Sequence, residues 1–138
     1  MRRQGSIASI LEYPIESNIE RIIKVENRQF KNTSNRKFGI IGAGNYASGM
    51  IVPCLIKAKA PIKYIASSQG LTAKILAKKA GAEAATSDYH EMLKDEEIGC
   101  VIVSTRHNLH APILIESLKA GKSVFVEKPL CLNPEELQ

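Results

Sequence analysis

Phe38-Gly39-Ile40-Ile41 runs directly into Gly42-Ala43-Gly44-Asn45-Tyr46-Ala47, an apolar stretch feeding a G-x-G-x-x-A turn that opens a helical pattern. Each small residue in that turn has a physical duty. Gly42 permits the tight reversal from strand to helix, Gly44 lets phosphates come up against bare backbone, and Ala47 lets the helix settle close to a sheet. The first N–H groups of a helix have no partner within it, and the helix dipole adds to their attraction for an anion. The segment therefore predicts a cradle for a dinucleotide pyrophosphate at the head of a β-α-β unit. Gly42, Gly44 and Ala47 are its essential positions.

Downstream the pattern repeats. Ile62 to Ala66 reads as a second strand, Leu71 to Ala80 as a helix closed by Gly81, and Ala84-Ala85 as a stub of a third strand. Ser87 or Asp88 is placed to cap a short helix running to Leu93. The runs Cys100 to Val103 and Val124 to Val126 are continuously apolar, which predicts strands four and five as central strands covered on both faces. Between them Leu109 to Ala120 reads as a helix with Leu114, Ile115 and Leu118 inward. In the first helix, Tyr46 to Lys59, the expected inner face carries Met50, Cys54, Ile51, Leu55 and Ala58, and Pro53 predicts a kink or a helix end. Such alternation predicts an α/β fold, a doubly wound parallel sheet of strand order 3-2-1-4-5 with right-handed crossovers.

Residues 7 to 26 differ in character. Ile7 to Tyr13 and Ile19 to Val25 are extended-looking stretches broken by Pro14 and Ser17-Asn18, which predicts a β-hairpin or ribbon arm. The polar stretch Asn27 to Lys37, with Lys31 to Arg36 polar in a row, follows as a linker. The expected division is an arm and linker over 1–36 and one domain over 37–138. A chain of 138 residues affords a single core of that kind.

Bulk properties narrow the partners. The 19 basic and 14 acidic residues give a net charge of +5, but the lysines, among them Lys57, Lys59, Lys74, Lys78 and Lys79, are spread over helical faces. Aromatic residues make up 5% and do not interleave with basic ones, so no nucleic-acid partner is expected. No apolar run approaches a membrane span of about 18 residues, and Met1-Arg2-Arg3 does not lead into a signal core. The three cysteines, Cys54, Cys100 and Cys131, show no ligand spacing and suit a reducing cytoplasm.

Chemistry gathers at the carboxyl ends of the later strands, the edge where open α/β sheets bind ligands. Glu127-Lys128-Pro129 follows strand five. Lys128 is a movable cation suited to polarising an oxygen or relaying a proton if burial tunes it; spacing alone leaves open an ordinary exposed lysine before a loop proline. Ser104 to His110 follows strand four, and its small polar start suits backbone bordering a coenzyme. His107 and His110 lack a third ligand, so no metal site is expected. The end of strand two reads Ala66-Ser67-Ser68-Gln69, without the carboxylate that binds a ribose 2′-OH. NAD(P) is the expected coenzyme, with a lean toward NADP.

In order and spacing the glycine turn, the T-x-x-x-L-H-A segment Thr105 to Ala111 and the E-K-P tripeptide resemble the amino-terminal domain of the Gfo/Idh/MocA oxidoreductases. The resemblance covers residues 38 to 138. It implies hydride transfer between nicotinamide and a sugar or cyclitol carbon, with Lys128 beside both. It implies that Gly42, Gly44, Asn45 and Tyr46 border the pyrophosphate. With Ala47, Ser67, Ser68, Ser104, Thr105, Arg106, His110 and Glu127 they complete the expected coenzyme contacts. Arg106-His107 stands where ordinary members carry Pro-Asn, so the contact implied for that asparagine does not carry over. The wording of residues 65–70 and 105–110 also resembles a module joined behind a zinc alcohol dehydrogenase in two-part bacterial oxidoreductases, where the arm would be the last strands of an upstream module.

Asn133-Pro134-Glu135-Glu136 is a helix start at the end of the chain. With the resemblance, it leads to the expectation of a piece of a longer polypeptide, the carboxyl-terminal substrate domain being absent and turnover absent with it. A sugar or polyol would then meet only a longer parent. The sheet edge beyond strand five predicts self-association. A non-catalytic dinucleotide-binding or scaffold module is the alternative function; a dinucleotide domain of unrelated chemistry leaves the E-K-P element without a reason.

Overall fold

A computed structural model describes residues 36–137. The expected hairpin arm and nearly all of the linker lie outside them. Within this range the strands are β1 (Lys37–Ile41), β2 (Ile62–Ala66), β3 (Ala84–Thr86), β4 (Ile98–Val103) and β5 (Ser123–Val126). The helices are α1 (Val52–Lys57), α2 (Gly70–Ala80), α3 (Tyr89–Lys94) and α4 (His110–Lys119). The five strands are all parallel and lie in the order β3-β2-β1-β4-β5, as the alternating pattern predicts.

Strand pleat divides the core into two layers. Ile40 pairs with Ile65 and Ile102 in one row, and Ile41 pairs with Ala66 and Val103 in the next. The first row packs with Ala47, Ile51, Val52, Ala73, Leu76 and Ala77 from the helices of one face. The second packs with Met92, Leu93 and Ile113 from α3 and α4 on the other. Burying an isoleucine fully contributes about 2 kcal/mol, so these rows hold the sheet between its helices.

Three helical details bear on the sequence expectations. The first helix passes through Pro53 without ending. Ala47–Ile51 form a wide π turn, closed by the Val52 N–H on the Ala47 carbonyl, and Pro53 falls in the first turn of α1, where its missing N–H costs least. That extra residue rotates the face: Ala47, Ile51 and Val52 are buried, whereas Met50 and Cys54 are exposed, against the expectation. In α4 the inner face is His110, Ile113 and Ser117, with Leu114 half-buried. Ile115 and Leu118 point outward, 42% and 55% exposed, which corrects the expected inward set. Ser117 occupies the buried stripe because its hydroxyl donates to the Ile113 carbonyl at 2.7 Å.

The caps agree better. Asp88 accepts from the His90 N–H at 2.9 Å and starts α3, and Gly81 ends α2 at a φ of +65°.

The expectation of a fully covered strand five is corrected. Among the described residues β5 is an edge strand, and Phe125 is 52% exposed. Phe125 continues the row of Ile40 and Ile102, but α2, on that face, lies over β2 and β3. Val124 and Val126 face the other way and pack onto the layer that includes Ile113 of α4. At the amino ends of the strands, Lys63 bridges Asp95 and Glu97, and Lys37 bridges Glu83 and Glu97. The opposite, carboxyl ends carry the site.

Candidate functional site

The turn after β1 is stitched to both neighbouring strands. Gly42 donates its N–H to the Ala66 carbonyl and Ser104 donates its N–H to the Ile41 carbonyl, each at 2.8 Å. Gly42 holds a φ of +107°, and a β-carbon built there would lie 2.5 Å from the Ser104 carbonyl oxygen, so conformation and space both demand glycine. Gly44 contrasts with it: a β-carbon there would meet nothing within 4 Å. Ala47 is fully buried in the core. Backbone open above Gly44, with a helix drawn close through Ala47, fits a pyrophosphate resting on the turn.

Beside that turn, Tyr46, Ser104, Thr105, His107, His110, Glu127 and Lys128 line one cleft. They arrive from the carboxyl ends of β1, β4 and β5, brought side by side because those strands are neighbours in the sheet. Glu127 is half-buried, and its N–H donates to the Val103 carbonyl at 3.1 Å, extending the ladder of β5 by one residue. Its carboxylate, close to Tyr46, pushes that phenol above its ordinary value, first through a hydrogen bond and then through its charge. Lys128 is exposed at the rim.

Other expected contacts lie apart or turn inward. Ser104 points its hydroxyl at the Ile41 and Gly42 carbonyls, 3.4 and 3.3 Å away, and thus braces the turn. Ser67 shares a 3.1 Å hydrogen bond with the Thr72 hydroxyl, while Ser68 is exposed beyond the end of β2. Neither serine lines the cleft, and neither do Asn45 or Arg106, both exposed. His110 is only 1% exposed and forms the floor, its two ring nitrogens facing main-chain carbonyls rather than open space. His107 joins the lining although the sequence reading gave it no coenzyme role. Its place in the loop after β4, three residues before His110, was the available signal; the two rings meet edge to face at 5.6 Å.

No helix among the described residues is long and apolar enough to cross a membrane.

Comparison with known proteins adds identity to this geometry. Residues 36–138 match the model of an oxidoreductase family with an NAD-binding Rossmann fold. The chain is 35% identical over 102 residues to an uncharacterized oxidoreductase of Rhizobium meliloti, covering 73% of this chain and 30% of that protein. It is 44% identical over 55 residues to the myo-inositol 2-dehydrogenase of Thermotoga maritima, covering 40% and 16% of the two chains. Among solved structures, a 3-ketoreductase of Actinomadura kijaniata in complex with NADP and TDP-benzene superposes with a TM-score of 0.68. It is 28% identical, and the match covers 73% of this chain and 31% of that one. The chain therefore spans under a third of the length of these relatives. On the family match and the parallel sheet that carries it, this chain belongs to the Gfo/Idh/MocA oxidoreductases, as an NAD(P)-binding Rossmann domain.

Proposed function

We propose that residues 37–138 are the coenzyme half of an oxidoreductase that moves hydride between nicotinamide and a hydroxyl- or carbonyl-bearing carbon of a sugar or cyclitol. The observation that carries this reading is the cleft in which Tyr46, Glu127 and Lys128 meet the loop after β4, beside a turn whose Gly44 backbone is open. The inositol dehydrogenase among the relatives supports the cyclitol class, and the 3-ketoreductase supports a carbonyl at the reacting carbon.

In this reading the main-chain N–H groups from Gly44 to Tyr46 hold the pyrophosphate, and Ser104, Thr105 and Glu127 border the nicotinamide half. The coenzyme, when bound, supplies or accepts the hydride. Lys128 holds the substrate's reacting oxygen by a charge-assisted hydrogen bond and exchanges the proton at that oxygen. The absence of a carboxylate at Ser67-Ser68 supports acceptance of NADP as well as NAD. The match spans under a third of the relatives' length, and in this reading the chain by itself is expected to bind coenzyme without turnover. Its three free cysteines support a reducing cytoplasm as its place.

The exposed Phe125 on β5 favours a second reading, a non-catalytic dinucleotide-binding module that docks by that edge, to a second copy or to a scaffold. Titration of the labelled chain with NADPH and with NADH decides the shared core of both readings. The amide resonances of residues 42–47 are expected to move, and their indifference to both coenzymes would overturn the assignment. Steady hydride transfer by the purified chain would overturn its inactivity alone. Lys128→Ala in a turnover-competent protein separates the readings: lost turnover with retained coenzyme binding supports the enzyme, and unchanged behaviour supports the module.

A further inference from the structure

Lys128 sits in a segment with few ties. Its predecessor Glu127 makes the last ladder bond, to the Val103 carbonyl at 3.1 Å. The next backbone anchor is the Leu132 N–H on the Glu136 carboxylate, and that contact is local to the last turn. Between them, one bond joins the segment to the rest of the described residues: the Pro129 carbonyl lies 2.8 Å from Nδ1 of His110. Lys128 is thus bracketed, held one residue before by the sheet and one residue after by an imidazole.

His110 is built for such a role. It begins α4, is 1% exposed, and its Nε2 lies 3.2 Å from the Thr105 carbonyl in the loop after β4. The ring therefore touches both loops that contribute to the cleft, the one after β4 and the one after β5. A carbonyl oxygen only accepts, so the 2.8 Å contact to Pro129, the shorter of the two, is a hydrogen bond only with a proton on Nδ1. Nothing in this arrangement leaves the ring a polar atom for a coenzyme or substrate.

We infer that His110 is the positioning residue for Lys128, its Nδ1–H fixing the Pro129 carbonyl and through it the placement of the ammonium group beside the coenzyme. The inference rests on the proposed role of Lys128. A positioning error of about 1 Å at a reacting group costs up to about a hundredfold in rate, so one buried hydrogen bond next to the lysine has large leverage without touching a reactant.

The test uses the whole chain, NADPH as probe, and acetylation of Lys128 by acetic anhydride mapped by peptide mass. In the wild type, NADPH is expected to shield Lys128. His110→Ala, still melting cooperatively and compared with wild type at equal NADPH saturation, is expected to show a shielding factor about tenfold lower, and His110→Asn, whose amide N–H replaces Nδ1–H, is expected to restore it. A histidine with no tie to Lys128 would leave the shielding at equal saturation unchanged. Equal shielding in wild type and His110→Ala overturns this inference alone. NADPH that leaves the wild-type amides of residues 42–47 unmoved overturns the coenzyme reading and this inference with it. Should His110→Ala fail to fold, His110→Asn and His110→Gln carry the comparison: shielding kept by Asn and lost by Gln supports the tie, and equal shielding overturns it. Long-range proton–nitrogen correlation of the wild-type imidazole adds an independent arm, since an unprotonated Nδ1 overturns the assignment.

Discussion

Gly42 crosses Ser104 so closely that a β-carbon on the glycine would stop 2.5 Å from the serine's carbonyl oxygen, while two residues on, Gly44 faces nothing within 4 Å. The two glycines of one motif thus differ: the packing around the first demands glycine, while the space beside the second is open.

Gly42→Ala is therefore expected to destabilise the chain by about 2–4 kcal/mol, combining a positive-φ penalty with overpacking. Gly44→Ala is expected to leave stability within about 0.5 kcal/mol, because its new methyl points into open space. Yet Gly44→Ala should weaken NADPH binding by at least about tenfold, since the methyl occupies the place of a phosphate. Urea denaturation and coenzyme titration on the same two variants check the division.

Ser68 is exposed past the end of β2, with no acidic side chain among the neighbouring Ser67 and Gln69. Ser68→Asp is expected to weaken NADPH binding by about tenfold through repulsion of the 2′-phosphate, and to leave NADH binding equal or improved. Parallel titrations with the two coenzymes measure it. Equal loss for both would remove this loop from the ribose end.

His90 lies between two carboxylates, with Nδ1 2.6 Å from Asp88 and Nε2 3.1 Å from Glu116, while the Tyr89 hydroxyl donates to Glu116 at 2.7 Å and the rings of Tyr89 and His90 stack. Asp88 raises the imidazole above its ordinary 6.5, and His90 in turn holds Asp88 below its ordinary 3.8. Because the folded state binds the imidazole proton more tightly, this stabilisation is complete below pH 6.5 and fades as pH rises through the raised folded value. The Asp88 contribution is present above 3.8 and fades as pH falls through the depressed value. Urea midpoints followed across pH should show a decline on the alkaline side that His90→Gln flattens; an unchanged slope would remove the His90–Asp88 pair as its source.

The two faces of α4 give a packing test. Ile113→Ala, at a position 3% exposed, is expected to cost about 2–4 kcal/mol. Leu118→Ala, 55% exposed, should fall within about 0.5 kcal/mol of wild type. Comparable losses at both sites would mean that something covers the outer face of α4 in solution.

Local signals made most of the architecture legible. The apolar β1 followed by small residues, Gly81 closing α2 and Asp88 opening α3 each depend on contacts within a few residues, which is why a linear reading finds them. The inner faces of the first helix and α4 were less legible. The π turn before Pro53 adds a residue that rotates the face, and a buried serine can satisfy itself on the preceding turn, so hydropathy misassigned Met50, Cys54, Ile115 and Leu118.

By itself the sequence determined the strand order and the glycine turn after β1, because periodicity and glycine placement act through short-range sterics and through the handedness of parallel crossovers. Only the tertiary structure decided what surrounds Lys128. Strand adjacency brings the loops after β4 and β5 together, and the buried His110 ring reaches carbonyls 5 residues before it and 19 residues after it, a contact that no local pattern encodes.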